Sequence, residues 1–157
     1  MSKVNASVPA DQPTITFERE FAAPPEAVFG AYRDPDALKQ WYGPDGFSIT
    51  IIAMEFRVGG AFRFTMHGPD GTDYPNRIMY RDIVPGARLA YRHDSDKDND
   101  PNGFEVLVTF ASAGEGRTLL TMRSTFPSIE ARNAVMKFGA VELGKQTVEK
   151  LAAYIKG

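Results

Sequence analysis

The chain has 157 residues, with 18 basic against 20 acidic side chains, a formal net charge of −2 and no cysteine. This length predicts one domain with a core of its own, and the lack of cysteine excludes a disulfide framework. The near balance of charge, with basic residues scattered along the chain, argues against nucleic acid and anionic membrane as partners. Eleven phenylalanines predict a core or cavity rich in rings.

Residues 1–13 hold two prolines among small polar residues and no apolar run. They are predicted to form a flexible tail, and they resemble neither a secretory signal nor a membrane anchor. Residues 14–157 are then predicted to be a single domain. Without a targeting signal, the expected location is cytoplasmic.

The first predicted strand covers residues 14–21, where side chains of opposite character alternate. Pro24 and Pro25 open a short helix, because the first turn of a helix does not need the amide hydrogen that proline lacks. Asp34 is placed to cap a second short helix, which begins at Pro35 and ends near Trp41. The chain therefore begins with a strand followed by two short helices.

From residue 47 to residue 125 the apolar pattern changes to a period of two, which indicates strands. Short glycine-rich turns separate these strands, and such turns predict antiparallel pairing. Phe62, Phe64 and Met66 share one strand face, and we expect that face to be covered, since Arg63 and His67 then reach solvent. The predicted strands cover residues 48–56, 62–67, 74–84, 89–93, 104–110 and 117–125.

Residues 128–157 contain no proline and are predicted to form one long amphipathic helix, with Ser128 as its N-cap. Gly139 and Gly144 lie within this pattern, and each costs about 1 kcal/mol in a helix interior. We expect this cost to be offset either by a close approach of the sheet or by space kept open beneath the helix. Plain core packing under the first half of the helix and a pocket there both stay open.

Several short runs of sequence carry a resemblance to a known family. They are residues 23–29, Asp34-Pro35 with Leu38 and Trp41, residues 43–47, 57–60 with Phe62, 68–71, Val84-Pro85, Arg88-Leu89, and Gly144 with Leu151. Their order resembles the SRPBCC superfamily, which contains START-like and birch-pollen-allergen-like proteins. Within it, the chain is similar to single-domain members of the activator of heat-shock protein 90 ATPase homologue family.

The resemblance implies an α+β helix-grip fold. In that fold a curved antiparallel sheet of about seven strands wraps on a long C-terminal helix, and two short helices follow the first strand. It also implies a deep cavity between the sheet and the terminal helix, suited to an apolar or aromatic ligand. The family often has tryptophan at the positions of Tyr42 and Lys145, so ligand shape and self-association do not carry over to this chain.

The expected ligand contacts come from the concave face of the sheet, the end of the second helix and the C-terminal helix. Among them, two tyrosines are expected to act as polar handles in a ring-lined pocket, and the only tryptophan either lines the cavity mouth or packs on the sheet. A bulky residue in place of Gly139 or Ala140 is expected to fill the cavity. The predicted contact residues are Trp41, Phe62, Phe64, Met66, Tyr80, Tyr91, Met136, Ala140 and Leu143.

Residues 94–105 partly match a calcium-binding loop but lack its central glycine, so we expect a solvated hairpin loop. The two histidines, His67 and His93, do not form a zinc pattern, and neither a metal nor a cofactor is expected. No nucleophile elbow or phosphate-binding loop is present. An acid or base in the cavity stays open, with Arg33, Glu55, Arg81 and His93 as candidates.

Three functions follow from these observations. The first is a binding protein that holds a small apolar or aromatic molecule between the sheet and the terminal helix. The second is a stress- or chaperone-associated regulator that acts on a protein partner, as the family name implies. The third is an enzyme of the cyclase, aromatase or hydrolase type that uses the same cavity, which requires a polar group positioned against a reacting atom.

Overall fold

A computed structural model describes residues 2–156 of the protein. Met1 and Gly157, the outermost residues of the predicted tail and of the predicted terminal helix, lie outside the described residues. The strands are β1 (Asn5–Ser7), β2 (Thr14–Phe21), β3 (Ser48–Met54), β4 (Ala61–His67), β5 (Asp73–Val84), β6 (Arg88–Asp94), β7 (Phe104–Ser112) and β8 (Thr118–Thr125). The helices are α1 (Pro25–Arg33), α2 (Pro35–Trp41), α3 (Ile129–Lys137) and α4 (Ala140–Ile155).

The eight described strands form one antiparallel sheet in the order β1-β2-β8-β7-β6-β5-β4-β3. Each strand from β3 to β7 pairs with the next one along the chain, and β2 pairs along its whole length with β8. The register shifts after Ile51 in β3 and after Tyr80 in β5, and such bulges bend a strand. The bent sheet covers the helices on one face, so the predicted α+β helix-grip fold is confirmed, with eight strands instead of about seven.

The additional strand, β1, lies in the segment that was predicted to be a flexible tail. It pairs with β2 in the register Asn5 to Glu18, and the neighbouring Val4 is buried. The Arg132 guanidinium donates hydrogen bonds to the backbone carbonyls of Pro9 and Gln12. A three-residue strand is too short to show a period, and contacts with distant residues hold it in place.

The predicted single terminal helix is wrong, because the structure contains two helices over this segment. α3 ends before Phe138, and Gly139 adopts a left-handed backbone with φ of 85°, which favours glycine because it has no Cβ. The Gly139 carbonyl then accepts the first hydrogen bond of α4, from the amide of Leu143. Ser128 caps α3 as predicted, since its Oγ accepts from the amide of Ala131 at 3.0 Å.

Gly144 marks the place where α4 comes closest to the sheet. A Cβ on this residue would lie 2.3 Å from Cζ of Phe17 in β2, so no larger side chain fits without moving the ring. Further along α4, Val148, Leu151 and Ala152 are buried in the core. Close approach of the sheet, one of the two reasons expected for a glycine in this helix, therefore accounts for Gly144.

The two short helices bring Trp41 into the interior. Asp34 caps α2 by accepting a hydrogen bond from the amide of Asp36 at 3.0 Å, as predicted. At the other end of α2, the Trp41 indole is only 1% exposed, and its Nε1 donates to the Ala31 carbonyl at 3.0 Å. Its ring also packs edge-on against Tyr32 of α1. These contacts fix the chain segment that follows α2, which forms one side of the site.

Candidate functional site

A cavity of about 290 Å³ lies between α4, the inner face of the sheet and residues 41–44 after α2. Two other recesses have larger volumes, about 340 and 510 Å³, but charged side chains form most of their walls. Ligand pockets for small molecules are mainly apolar with a few polar groups, so the apolar cavity beneath α4 is the better candidate. Its apolar wall residues are Trp41, Met66, Phe104, Val106, Met122 and Leu143.

Four of the nine predicted contact residues line this cavity, namely Trp41, Met66, Tyr91 and Leu143. For Trp41, the two expected roles turn out to be compatible, because the indole packs in the core and also forms part of the wall. The four residues come from α2, two strands and α4. The cavity is therefore a product of the fold and not of any single segment.

Three more predicted residues lie next to the cavity. Phe62 and Tyr80 line a separate void of about 10 Å³ that shares Tyr42 and Tyr91 with the main cavity. Phe64 is fully buried, and its ring centroid lies 5.3 Å from that of Tyr42. These rings support the wall of the cavity from behind.

The structure does not place Met136 or Ala140 in the cavity wall. Met136 belongs to α3 and Ala140 is the first residue of α4, and both are half-buried against the core. The break at Gly139 separates Met136 from α4, and the part of α4 that lines the cavity starts with Leu143. A Cβ on Gly139 would have no neighbour within 4 Å, so substitutions there are not expected to fill the cavity, contrary to the sequence-based expectation.

Sequence reasoning missed several wall residues. Strand alternation could have found some of them, because Tyr91 and His93 share the inner face of β6, and Phe104 and Val106 share that of β7. The helix face could have found Thr147, which is one turn beyond Leu143. His93 was expected only as a candidate acid or base, and the wall residues missed altogether are Tyr42, Gly43, Pro44, Phe104, Val106, Met122, Gly144 and Thr147.

Four tyrosines meet at the inner end of the site, around the void of about 10 Å³. The hydroxyls of Tyr42 and Tyr91 lie close enough for each to affect the pKa of the other. Among the described residues, no partner is found for the buried Tyr32 hydroxyl. Burial raises the pKa of all four phenols, Tyr80 included, because the charged form loses its water. All four are therefore neutral near pH 7.

His93 supplies the other polar group of the wall. Its Nε2 lies 2.7 Å from Oδ1 of Asn76, and Nδ2 of Asn76 donates to the Tyr74 carbonyl at 3.0 Å. Loss of water on burial lowers the pKa of His93 to about 4, although the Asp94 carboxylate acts in the opposite direction. The imidazole is thus neutral at physiological pH, and the cavity combines an apolar wall with a small set of uncharged polar groups.

Comparison with known proteins identifies the family of this chain. The profile described as Activator of Hsp90 ATPase homolog 1-like protein matches residues 22–156. The chain belongs to this family. No curated protein sequence matches the chain.

Solved structures with the same fold include proteins from several bacteria. A solution NMR structure of a protein from Arthrobacter aurescens is 24% identical and has a TM-score of 0.90, with 99% of this chain and 92% of that chain covered. A crystal structure of a protein from Mycobacterium smegmatis is 25% identical with a TM-score of 0.86, covering 98% of each chain. A crystal structure of a protein from Chromobacterium violaceum is 28% identical and has a TM-score of 0.75, with 92% of this chain and 98% of that chain covered.

At two positions this member of the Activator of Hsp90 ATPase homolog 1-like family lacks a tryptophan that the resemblance led us to expect. Tyr42 lies in the cavity wall, where it adds a hydroxyl close to that of Tyr91. Lys145 is half-buried on the outer side of α4, beside a recess that it shares with Asp45 and Glu149. The first departure therefore changes the polarity of the cavity, whereas the second changes only the surface.

Of the four candidate acids and bases, only His93 lines the cavity; Arg33, Glu55 and Arg81 are exposed. In the part of the chain that the structure describes, no three histidine, aspartate or glutamate side chains are grouped so that they could hold a metal ion. The loop that partly matched a calcium site makes its own contacts, since Asp100 accepts hydrogen bonds from the amide and the Oγ of Ser95. None of the helices within residues 2–156 is long and apolar enough to cross a membrane.

Proposed function

We propose that the protein binds a small apolar or aromatic molecule in the cavity between the sheet and α4. The observation that carries this proposal is an apolar cavity of about 290 Å³, open to solvent on one side, beside a few uncharged polar groups. A cavity of about 150 Å³ in another protein accepts benzene, so the volume here corresponds to a ligand of about two rings. The family to which the chain belongs supports a cavity at this place.

The expected affinity for a simple ring compound is modest. Burying about 250 Å² of ligand surface at about 25 cal/mol per Å² contributes about 6 kcal/mol, and part of this is lost to the entropy of association. The corresponding Kd lies between about 10 μM and 1 mM. A natural ligand that also satisfies the polar groups would bind more tightly.

A filled cavity provides the test. Thr147→Phe places a ring in the space beneath α4, and we expect it to abolish binding of methylnaphthalene, followed by methyl NMR shifts of Met66, Met122 and Leu143. Ala153→Phe adds the same ring to the exposed side of α4 and serves as the control with unchanged binding. Equal binding by both variants would place the ligand elsewhere, and no binding to the unmodified protein would overturn the proposal.

Regulation of a chaperone is a second candidate, and membership of the Activator of Hsp90 ATPase homolog 1-like family is the observation that favours it. The exposed Phe138 between α3 and α4, with 85% of its surface accessible, offers an apolar contact for a protein partner. The ATPase rate of purified Hsp90 with and without the protein tests this candidate. A stimulated rate that Phe138→Ser abolishes would support it, and an unchanged rate would remove it.

A further inference from the structure

The polar groups of the cavity wall have already used most of their side-chain donors. Nε1 of Trp41 donates to the Ala31 carbonyl, and Oγ1 of Thr147 donates to the Leu143 carbonyl at 3.1 Å. The neighbouring hydroxyls of Tyr42 and Tyr91 affect each other's pKa, and each can accept a hydrogen bond as well as donate one. The wall is consequently rich in acceptors and poor in donors.

His93 is an acceptor toward the cavity because its neighbours determine which nitrogen carries the proton. Asn76 turns its Oδ1 toward the ring, since its Nδ2 donates to the Tyr74 carbonyl. An amide oxygen only accepts, so Nε2 of His93 must be the protonated nitrogen in their 2.7 Å contact. The lone pair of the neutral ring is then on Nδ1.

Nδ1 of His93 is available to a ligand. It makes no hydrogen bond within the described chain. A fully buried Nδ1 without a partner would therefore count as an unsatisfied buried atom, but the only such side-chain atom among the described residues is the Tyr32 hydroxyl. Nδ1 therefore retains accessible surface, and the residue to which it belongs lines the cavity. Phe64 and Phe104 pack on the imidazole with centroid distances of 6.2 and 5.1 Å, and these contacts restrict its orientation.

We propose that the cavity selects an uncharged ring compound carrying a hydrogen-bond donor, a hydroxyl or N–H group, which donates to Nδ1 of His93. This inference rests on the proposed function and names the ligand class of the same site. Hydroxylated aromatic or alicyclic molecules of about two rings fit both the volume and the acceptor-rich wall.

The same wall disfavours charged ligands. No lysine, arginine, aspartate or glutamate among residues 2–156 lines the cavity, so an ionised ligand would lose water without gaining a counter-ion, which is strongly unfavourable. A carboxylate would in addition face the lone pair of His93. The site is therefore expected to exclude organic acids of the same shape.

Three probes with one ring skeleton test the inference: naphthol, methylnaphthalene and naphthoate, each substituted at the same ring position. The quantity to compare is the ratio of the Kd of methylnaphthalene to that of naphthol, measured for the unmodified protein and for His93→Phe. Because this comparison cancels differences in probe hydration, we expect the variant to lower the ratio by about tenfold, the loss of one hydrogen bond. Naphthoate is expected not to bind the unmodified protein.

His67→Phe is the matched control, because His67 lies outside the cavity, where it contacts Thr50 and Asp73. Its ratio is expected to equal that of the unmodified protein. If both neutral probes bind and His93→Phe leaves the ratio unchanged, the inference is overturned while the proposed function stands. Tight binding of naphthoate would also overturn it. If neither neutral probe binds, the proposed function itself fails.

A measurement on the unmodified protein covers the case in which His93→Phe does not fold. Imidazole nitrogen NMR reports which ring nitrogen carries the proton, and Nε2 is expected to carry it at pH 7. Naphthol should then shift the Nδ1 resonance, whereas methylnaphthalene should leave it unchanged. A proton on Nδ1, or equal shifts with the two probes, would contradict the inference.

Discussion

The inner and outer faces of β6 carry opposite chemistry although neighbouring residues form them. Tyr91 and His93 point inward, and both are uncharged near pH 7. Arg92 and Asp94 point outward, where the Asp94 carboxylate accepts hydrogen bonds from Nε and Nη2 of Arg77 at 3.1 and 2.9 Å. The period of two in a strand separates the two sets.

This difference assigns stability mainly to the outer face of the sheet and the proposed binding to its inner face. On the outer face, ion pairs link adjacent strands, as the half-exposed Arg88 and Asp82 do at 2.7 Å, and the buried pair of Arg77 and Asp94 at 2.9 Å is expected to stabilise the sheet most. On the inner face, no charged side chain among residues 2–156 lines the cavity, so the proposed ligand would be selected by apolar burial and a few neutral hydrogen bonds. Changes on the two faces should therefore affect stability and binding separately.

The largest expected effect on the free energy of unfolding comes from removing a buried ion pair on the outer face. Arg77→Met leaves the Asp94 carboxylate, whose side chain is 1% exposed, without its bidentate partner, and removing one partner of a buried pair costs about 3–5 kcal/mol. Arg92 remains 3.7 Å from Asp94, so we expect about 3 kcal/mol in the free energy of unfolding by urea. Binding of naphthol should not change.

Arg57→Met is the control for this prediction. Arg57 pairs with Glu55 at 3.1 Å, and both side chains are mostly exposed, so the loss is expected to stay below about 1 kcal/mol. Equal losses for the two arginines would show that the outer pair contributes no more than an exposed one.

The inner face predicts a pH dependence of stability through His93. Its pKa is about 4 in the folded protein against about 6.5 in the unfolded chain, so between these values only the unfolded chain binds the proton. The free energy of unfolding is therefore complete above pH 6.5 and falls by about 1.4 kcal/mol per unit as the pH drops toward 4. Urea unfolding at several pH values measures this slope.

His93→Phe should remove that slope, and His67→Phe should preserve it. A slope that is the same in the unmodified protein and in His93→Phe would mean that the imidazole is not kept neutral by burial. The acidic groups with lowered pKa values, such as Asp100 at about 2, begin to lose their contribution below about pH 5, so the slopes are compared between about pH 5 and 6.5.

The smallest expected effect on stability comes from a buried hydroxyl beneath the inner face. Tyr32→Phe deletes a buried hydroxyl that has no partner in the described chain, and such a group costs about 1–3 kcal/mol, so we expect a gain of about 1 kcal/mol on thermal unfolding. Tyr91→Phe, which removes the partner of Tyr42, should destabilise instead. Destabilisation by Tyr32→Phe would indicate a water in the adjacent void of about 10 Å³, which is near the lower limit for one.

Much of the fold could be predicted because its signals are local. Strand alternation, Pro25 and Pro35 at helix starts, and the Asp34 cap each depend on a few adjacent residues, and the family resemblance placed them in order. The strand Asn5–Ser7 carried no such signal, because distant partners stabilise it. The break at Gly139 was also hidden, since a glycine at that spacing is compatible with a continuous helix until tertiary packing selects the left-handed backbone.

The candidate site was predicted less completely than the fold. Ring-bearing strands indicated the correct face of the sheet, which is why Met66 and Tyr91 were named. The spacing of Met136 and Ala140 from Leu143 predicts wall positions for a continuous helix, but Met136 lies before the break at Gly139 and Ala140 is the first residue after it. His93 was named as one of four possible acids or bases, and nothing in the sequence separated it from Arg81, because the ladder of the sheet determines which of them faces inward.

The sequence by itself determined the order and type of most elements, the apolar face of α4 and the absence of cysteine chemistry, since these depend on composition and on periods along the chain. Tertiary structure alone decided the cavity volume, the contact of Gly144 with Phe17, and the protonated nitrogen of His93, which follows from Asn76 and Tyr74 on a neighbouring strand. The physical reason is that each of these properties depends on distances between residues that are far apart in the chain.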